Sequence, residues 1–191
     1  MMPVQRSAGG VWRTEQLLES QRLFEGRILK LRVDKVRLTS GVEAEREVVD
    51  HPGAVAVVAV DERRRVVLVR QYRYPVKQPL EEIPAGKLEP GEDPLLAAQR
   101  ELEEETGYLA GSWEQVGDFF TAPGFCNERM RLFFARGLRS GHRHPDEDEE
   151  VEGYLLDLEE AARRAAEGRF HDAKTIAGLL LAERRLKAEG R

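Results

Sequence analysis

Apolar and polar positions divide the chain into an alternating first part and a more deeply apolar second part. Leu29, Leu31 and Val33 alternate with Lys30, Arg32 and Asp34, and Val36 and Leu38 continue after a shift in phase. That period of two predicts a half-buried strand. A turn at Thr39-Ser40-Gly41 leads to a further strand near Val42 to Val49. The stretch from Glu15 to about Asp50 is therefore β-rich, and it cannot bury both of its faces alone. Residues 1–13, with Ser7, Gly9 and Gly10, show no periodicity and read as a loose leader.

After Pro52-Gly53 the pattern changes. Ala54 to Val60 is continuously apolar, which predicts a strand buried on both faces. Asp61 to Arg65 is a charged turn before a second apolar strand, Val66 to Val69, and Leu80 to Pro84 reads as another short one. Gly86, Pro90 and Gly91 mark a loop that opens a helix from about Pro94 to Thr106, stopped by Gly107. Strands fit Val116–Phe120, Met130–Ala135 and Val151–Leu156, and helices fit Leu158–Glu167 and Ala173–Lys187. This order predicts an α+β sandwich with a sheet between helices, over residues 51–191, rather than a regular βαβ series.

Composition adds limits. The 191 residues suit one domain, with 41% hydrophobic and 34% charged residues. No apolar run approaches the roughly 20 residues needed to span a membrane, and none resembles a signal peptide. A formal charge of −5 argues against a general nucleic-acid binder. The single cysteine, Cys126, excludes an internal disulfide and a cysteine-built zinc site, which makes a reducing cytoplasmic location the default. The four histidines, His51, His142, His144 and His171, show no ligand spacing, and Cys126 has no histidine near it in sequence to make it a nucleophile.

The helix after the Gly/Pro loop carries the candidate chemistry. At about 100° per residue, Glu101 and Glu105 lie within about 40° of each other, with Glu104 about 60° to the other side. Leu95, Ala98 and Leu102 form the adjoining apolar stripe, joined by Leu109 if the helical phase continues that far. Three carboxylates so placed repel, and a divalent cation would offset this; hard oxygen ligands favour Mg²⁺ or Mn²⁺. A Glu-rich helix alone is more often a solvated face, so the preceding loop matters.

Gly86, five residues, Glu92, seven residues, Arg100-Glu101-Leu102, one residue, Glu104-Glu105, one residue and Gly107 together resemble the Nudix box. The one departure is Tyr108, where the family usually has an aliphatic residue. The resemblance implies a Nudix α/β/α sandwich that hydrolyses a nucleoside diphosphate linked to another group. It implies metal ligation by Glu101, Glu104, Glu105 and the carbonyl of Ala85, with Arg100 orienting the carboxylates and Glu92 bracing loop and helix. Gly86 and Gly107 are expected to supply backbone freedom at the two ends of the motif.

Further features resemble the ADP-ribose pyrophosphatase subgroup. Pro123 stands in Thr121-Ala122-Pro123-Gly124, 16 residues after Gly107. Arg70-Gln71-Tyr72-Arg73-Tyr74-Pro75, Glu82-Ile83-Pro84-Ala85-Gly86 and Asp172-Ala173-Lys174-Thr175 look like its other segments. The likeness runs from about Leu23 to Leu186. It implies that Arg73 contacts phosphate, that Arg46 and Glu128 bind diphosphate and terminal ribose, and that Arg27 and Ile28 flank the adenine. It implies that the acidic run Asp146 to Glu150 supplies the general base, with Glu149 and Glu147 the leading candidates. Residues 14–50 are expected to be exchanged across a homodimer.

The implied activity is hydrolysis of ADP-ribose to AMP and ribose 5-phosphate. Two rivals stay open: a hydrolase of GDP-mannose or another nucleoside diphosphate sugar, and a non-catalytic module that binds ADP-ribose as a sensor. Sensor modules typically lose box carboxylates, and this chain keeps them.

Overall fold

The computed structural model describes residues 14–144 and 150–190. These fall into two units. The first comprises the described residues up to His51 with Gly124–Cys126, and the second comprises Pro52–Pro123 with the described residues from Asn127 onward.

The first unit is a three-stranded antiparallel sheet of β1 (Gln16–Glu25), β2 (Lys30–Arg37) and β3 (Glu43–Asp50), in that order. Strand β2 pairs with β3 in unbroken register, so the phase shift puts Val36 on the opposite face from Leu31 and Val33; the register irregularities, at Leu17/Glu19 and Arg22/Phe24, lie in β1. The turn into β3 closes with Gly41 at φ +87, a left-handed conformation that suits glycine. Within the sheet Asp34 is buried and takes a bond of 2.6 Å from Ser20 Oγ, as well as one from Arg32. Buried aliphatics are scarce here, and Leu17, Leu23, Phe24, Ile28, Leu29 and Val42 are exposed.

The second unit is built on a mixed seven-stranded sheet. Its main path runs β10 (Val151–Asp157), β5 (Arg65–Arg73), β4 (Ala54–Val60), β9 (Arg129–Ser140) and β8 (Tyr108–Phe120). Two short strands join it, β6 (Gln78–Glu82) on β5 and β7 (Ala85–Lys87) on β4. Strands β4 and β9 run parallel, and the other pairs are antiparallel.

Strand β4 is buried at every position because its two faces feed two cores. Ala56, Val58 and Val60 pack with Leu68, Leu132 and Phe134 against α2 (Leu158–Ala166) and α3 (Ala173–Ala188). Val55, Val57 and Ala59 pack with Val67 and Phe133 against Ala97, Ala98 and Leu102 of α1 (Pro94–Thr106). The result is the expected α/β/α sandwich. Emptying one central position, as in Leu102→Ala, would cost about 2–5 kcal/mol. Helix α3 lies so close that a Cβ at Gly178 would meet Ile83 and Val58 side chains at 2.9 Å. Among the described residues, no helix is long and apolar enough to cross a membrane.

Local chemistry sets the bounds of α1. Asp93 caps its start by accepting bonds from Leu95 N (2.9 Å) and Leu96 N (3.2 Å), and Pro94 takes the first turn, where no N–H is needed. Gly107, at φ +72, ends it and donates to Glu103 O at 2.8 Å. This corrects two expectations: Leu109 does not extend the helical stripe, and β8 begins at Tyr108 rather than near Val116. The left-handed turn at Gly107 redirects the chain at once into a strand. Strand β7 was not foreseen, since a three-residue Ala-Gly-Lys strand exists only by pairing with β4.

Candidate active site

Helix α1 and the loop before it converge on one guanidinium. Arg100 Nε and Nη2 donate to the two oxygens of Glu92 at 3.0 and 3.1 Å. Its Nη1 donates to Glu101 Oε1 at 2.8 Å and to Glu104 Oε2 at 3.0 Å, and Nη2 also reaches Lys87 O at 3.3 Å. Glu92 in turn accepts from Glu89 N at 2.9 Å, so loop and helix are cross-braced by charge-assisted bonds. The Arg100 bonds hold Glu92 below the usual carboxylate range. The Glu92 bond, followed by the charge and bonds of the neighbouring glutamates, raises Arg100 further and keeps it cationic.

Glu101 lies over β7. A Cβ on Gly86 would fall inside the Glu101 carboxylate, so any side chain there would displace it. Gly86 is not among the positive-φ residues, so the sequence-level reason for this glycine needs correction. It is required by close approach rather than by backbone freedom, whereas Gly107 does use the left-handed conformation. Glu105 is buried, 3% exposed, and its Oε2 accepts from Ala85 N at 3.3 Å. Arg143 Nε donates to Glu105 O at 2.9 Å, and the same guanidinium donates to Val151 O, tying the end of α1 to β10.

Among the described residues, no three His, Cys, Asp or Glu side chains form a ready metal cluster. Glu101 and Glu104 are instead drawn together by a cation of the chain itself, Arg100 Nη1. The donor chemistry still fits a hard divalent ion: three carboxylates from one helix, of which Glu101 lies over Gly86 and Glu105 bonds the main chain of Ala85 in β7.

A second cluster stands at the end of β6. Glu82 is 1% exposed and receives Arg73 Nε and Nη2 at 2.7 and 2.8 Å, together with Lys174 Nζ. Burial pushes the Glu82 carboxyl up, but the Arg73 bond and the Lys174 and Arg73 charges outweigh it and hold it below its ordinary value. Arg73 is raised by its Glu82 bond. Ala85, whose N–H bonds Glu105, follows soon after Glu82 in the chain, which links this cluster to the box. In the sequence, Glu82, Asp172, Lys174 and Thr175 carry no signal of a shared role. The Asp172–Thr175 spacing signals a helix cap, yet nothing local announces a pairing across 92 residues.

The other candidates are placed as follows. Glu128 accepts from Thr121 Oγ1 at 2.5 Å, closing the turn that holds Pro123. Arg27 and Ile28 form the exposed turn between β1 and β2. Arg46 on β3 is engaged by both oxygens of Glu15, at 2.7 and 3.0 Å. Glu147 and Glu149 lie outside the described residues. His142, His144 and His171 are exposed; His144 Nε2 stands 4.0 Å from Glu104 Oε1.

Comparison with known proteins bears on the family and the fold. The family model described as NUDIX domain matches residues 50–179, and that described as nucleoside diphosphate sugar hydrolase N-terminal domain matches residues 15–49. The chain is 46% identical over 164 residues to a methanol dehydrogenase activator of Bacillus methanolicus, covering 85% of this chain and 89% of that one. It is 42% identical over 163 residues to an ADP-ribose pyrophosphatase of Bacillus subtilis (strain 168), covering 84% and 88%. The crystal structure of an ADP compounds hydrolase superposes with a TM-score of 0.82 at 22% identity, covering 93% of this chain and 96% of that one, which bears on the fold alone.

Proposed function

The chain belongs to the NUDIX family, whose hydrolases generally need a divalent metal, and on that footing we propose that it hydrolyses ADP-ribose to AMP and ribose 5-phosphate. The observation that carries the reading is the Arg100 hub, which gathers Glu92, Glu101 and Glu104 over a glycine that cannot be replaced without moving Glu101. The name of the relative at 42% identity supports the substrate.

In this reading Glu101, Glu104, Glu105 and the Ala85 carbonyl hold the metal. A divalent cation bound there, Mg²⁺ or Mn²⁺, supplies positive charge to the diphosphate and to the attacking water. Arg73 binds a phosphate oxygen, using the guanidinium nitrogen that Glu82 leaves free. A carboxylate of the acidic segment, Glu147 or Glu149, takes the proton from water as the new P–O bond forms and the bridging P–O bond breaks. Arg100 holds the box carboxylates in place throughout.

A homodimer completes the reading. The exposed Leu17, Leu23, Phe24, Ile28 and Leu29 give the first unit an apolar surface suited to a second copy, with Arg27, Ile28 and Arg46 serving the partner's substrate. Light scattering at micromolar concentration should report a dimer, and a stable monomer would reject it. A cytoplasmic location accords with the single cysteine.

The deciding experiment is a panel of nucleoside diphosphate sugars, assayed with Mg²⁺ for phosphatase-sensitive product. ADP-ribose should give the highest kcat/KM. Preference for GDP-mannose would replace the substrate, and binding without turnover would indicate a sensor.

A further inference from the structure

The first turn of α3 grips two neighbouring residues, Glu82 at the end of β6 by charge and Ile83 by its main chain. Asp172 Oδ2 caps the helix by accepting from Thr175 N at 2.9 Å, and it also accepts from Thr175 Oγ1 at 2.5 Å. Thr175 Oγ1 in turn accepts from Ile83 N at 2.9 Å. Next to it, Lys174, whose side chain is only 11% exposed, lies between Asp172 Oδ1 at 3.0 Å and Glu82 Oε2. Glu82 Oε2 is therefore shared by Lys174 Nζ and Arg73 Nη2, while Oε1 is held by Arg73 Nε.

This sharing fixes orientation in sequence. Lys174 sets the plane of the Glu82 carboxylate, and a bidentate carboxylate sets the plane of the guanidinium it binds. Nη1 of Arg73 donates to no described residue, so its protons point wherever that plane directs them. Without Lys174, a buried carboxylate would have Arg73 as its one cationic partner, and the pair could rotate together. Part of the Arg73 charge would then be drawn inward to neutralise Glu82.

We propose that Lys174 is a positioning residue for diphosphate recognition, acting through Glu82 to aim Arg73 at the substrate. This rests on the functional reading above, in which Arg73 binds phosphate. Lys174 itself need not touch the substrate.

The test is a double-mutant cycle on ADP-ribose hydrolysis with Mg²⁺, using Lys174→Met and Arg73→Ala alone and together. Lys174→Met should raise KM about ten-fold, with kcat falling by less than that factor. In the Arg73→Ala background the same change should shift KM by less than about two-fold, because nothing is left to aim. Lys174→Arg should restore KM, since it keeps the charge on Glu82. An equal KM effect in both backgrounds, or an unchanged KM in Lys174→Met, overturns the inference. Should circular dichroism show Lys174→Met unfolded, Lys174→Gln keeps a donor toward Glu82 and goes through the same two backgrounds. A wild-type protein that releases no AMP overturns the functional reading and this inference with it, whereas an active wild type with additive variants overturns the inference alone.

Discussion

Glu101 lays its carboxylate over the main chain of Gly86, in the volume that a Cβ on Gly86 would fill. Since Gly86 has no left-handed backbone, alanine there should leave the strand intact and push Glu101 aside. Gly86→Ala is expected to lower kcat by more than about ten-fold, equivalent to about 1.4 kcal/mol of barrier, while the thermal midpoint changes little. Steady-state kinetics beside a melting curve check it.

Glu105 is buried against Ala85 N, whereas Glu103 reaches the other way, accepting from His142 N at 3.2 Å. Glu105→Gln should therefore lose more than about ten-fold in kcat at saturating Mg²⁺, and Glu103→Gln should stay within about two-fold. Equal behaviour of the two variants would show that helix charge, rather than the ligand face, matters.

Acid should remove the stabilisation that Glu82 supplies. Its carboxyl is held below the ordinary 4.5, so in the folded state it stays ionised where the unfolded chain already takes up protons. The stabilisation is complete above that value and is lost as pH falls below it through the lowered folded value. Melting temperature against pH should drop below pH 4.5 more steeply for the wild type than for Glu82→Gln.

The general base is tested by comparing Glu147→Gln, Glu149→Gln and Asp148→Asn. One glutamine variant should lose orders of magnitude in kcat with ADP-ribose affinity nearly unchanged, and Asp148→Asn should be mild. If both glutamine variants stay within a few-fold of wild type, the base lies within the box.

The sequence was most readable where local physics decides the outcome. Strand β4 was legible to the residue because an unbroken apolar run from Ala54 to Val60 has no other use than burial on both faces. Helix α1 was legible because the Gly/Pro loop and Pro94 mark its start and Gly107 its stop. The bonds of Arg100 to Glu92, Glu101 and Glu104 are local, spanning at most eight residues. Strand β7 and the first half of β8 were not legible, since their pairing depends on neighbours supplied by distant parts of the chain. The Glu82–Lys174 pair is hidden for the same reason, and the need for Gly86 is hidden because a close approach leaves no mark in sequence.

The grip of α3 on Glu82 and Ile83 also imposes an order on folding. Glu82 leaves the ribosome 92 residues before Lys174, and Ile83 likewise waits 92 residues for Thr175. Until α3 has emerged, the nascent chain carries every box carboxylate, yet the carboxylate beside the box still lacks its second cation. Contacts of such separation are formed late because the intervening loop must first be closed. A ribosome stalled before Asp172 should therefore display a chain that has the full motif but neither the second cation on Glu82 nor the helix that covers one face of β4.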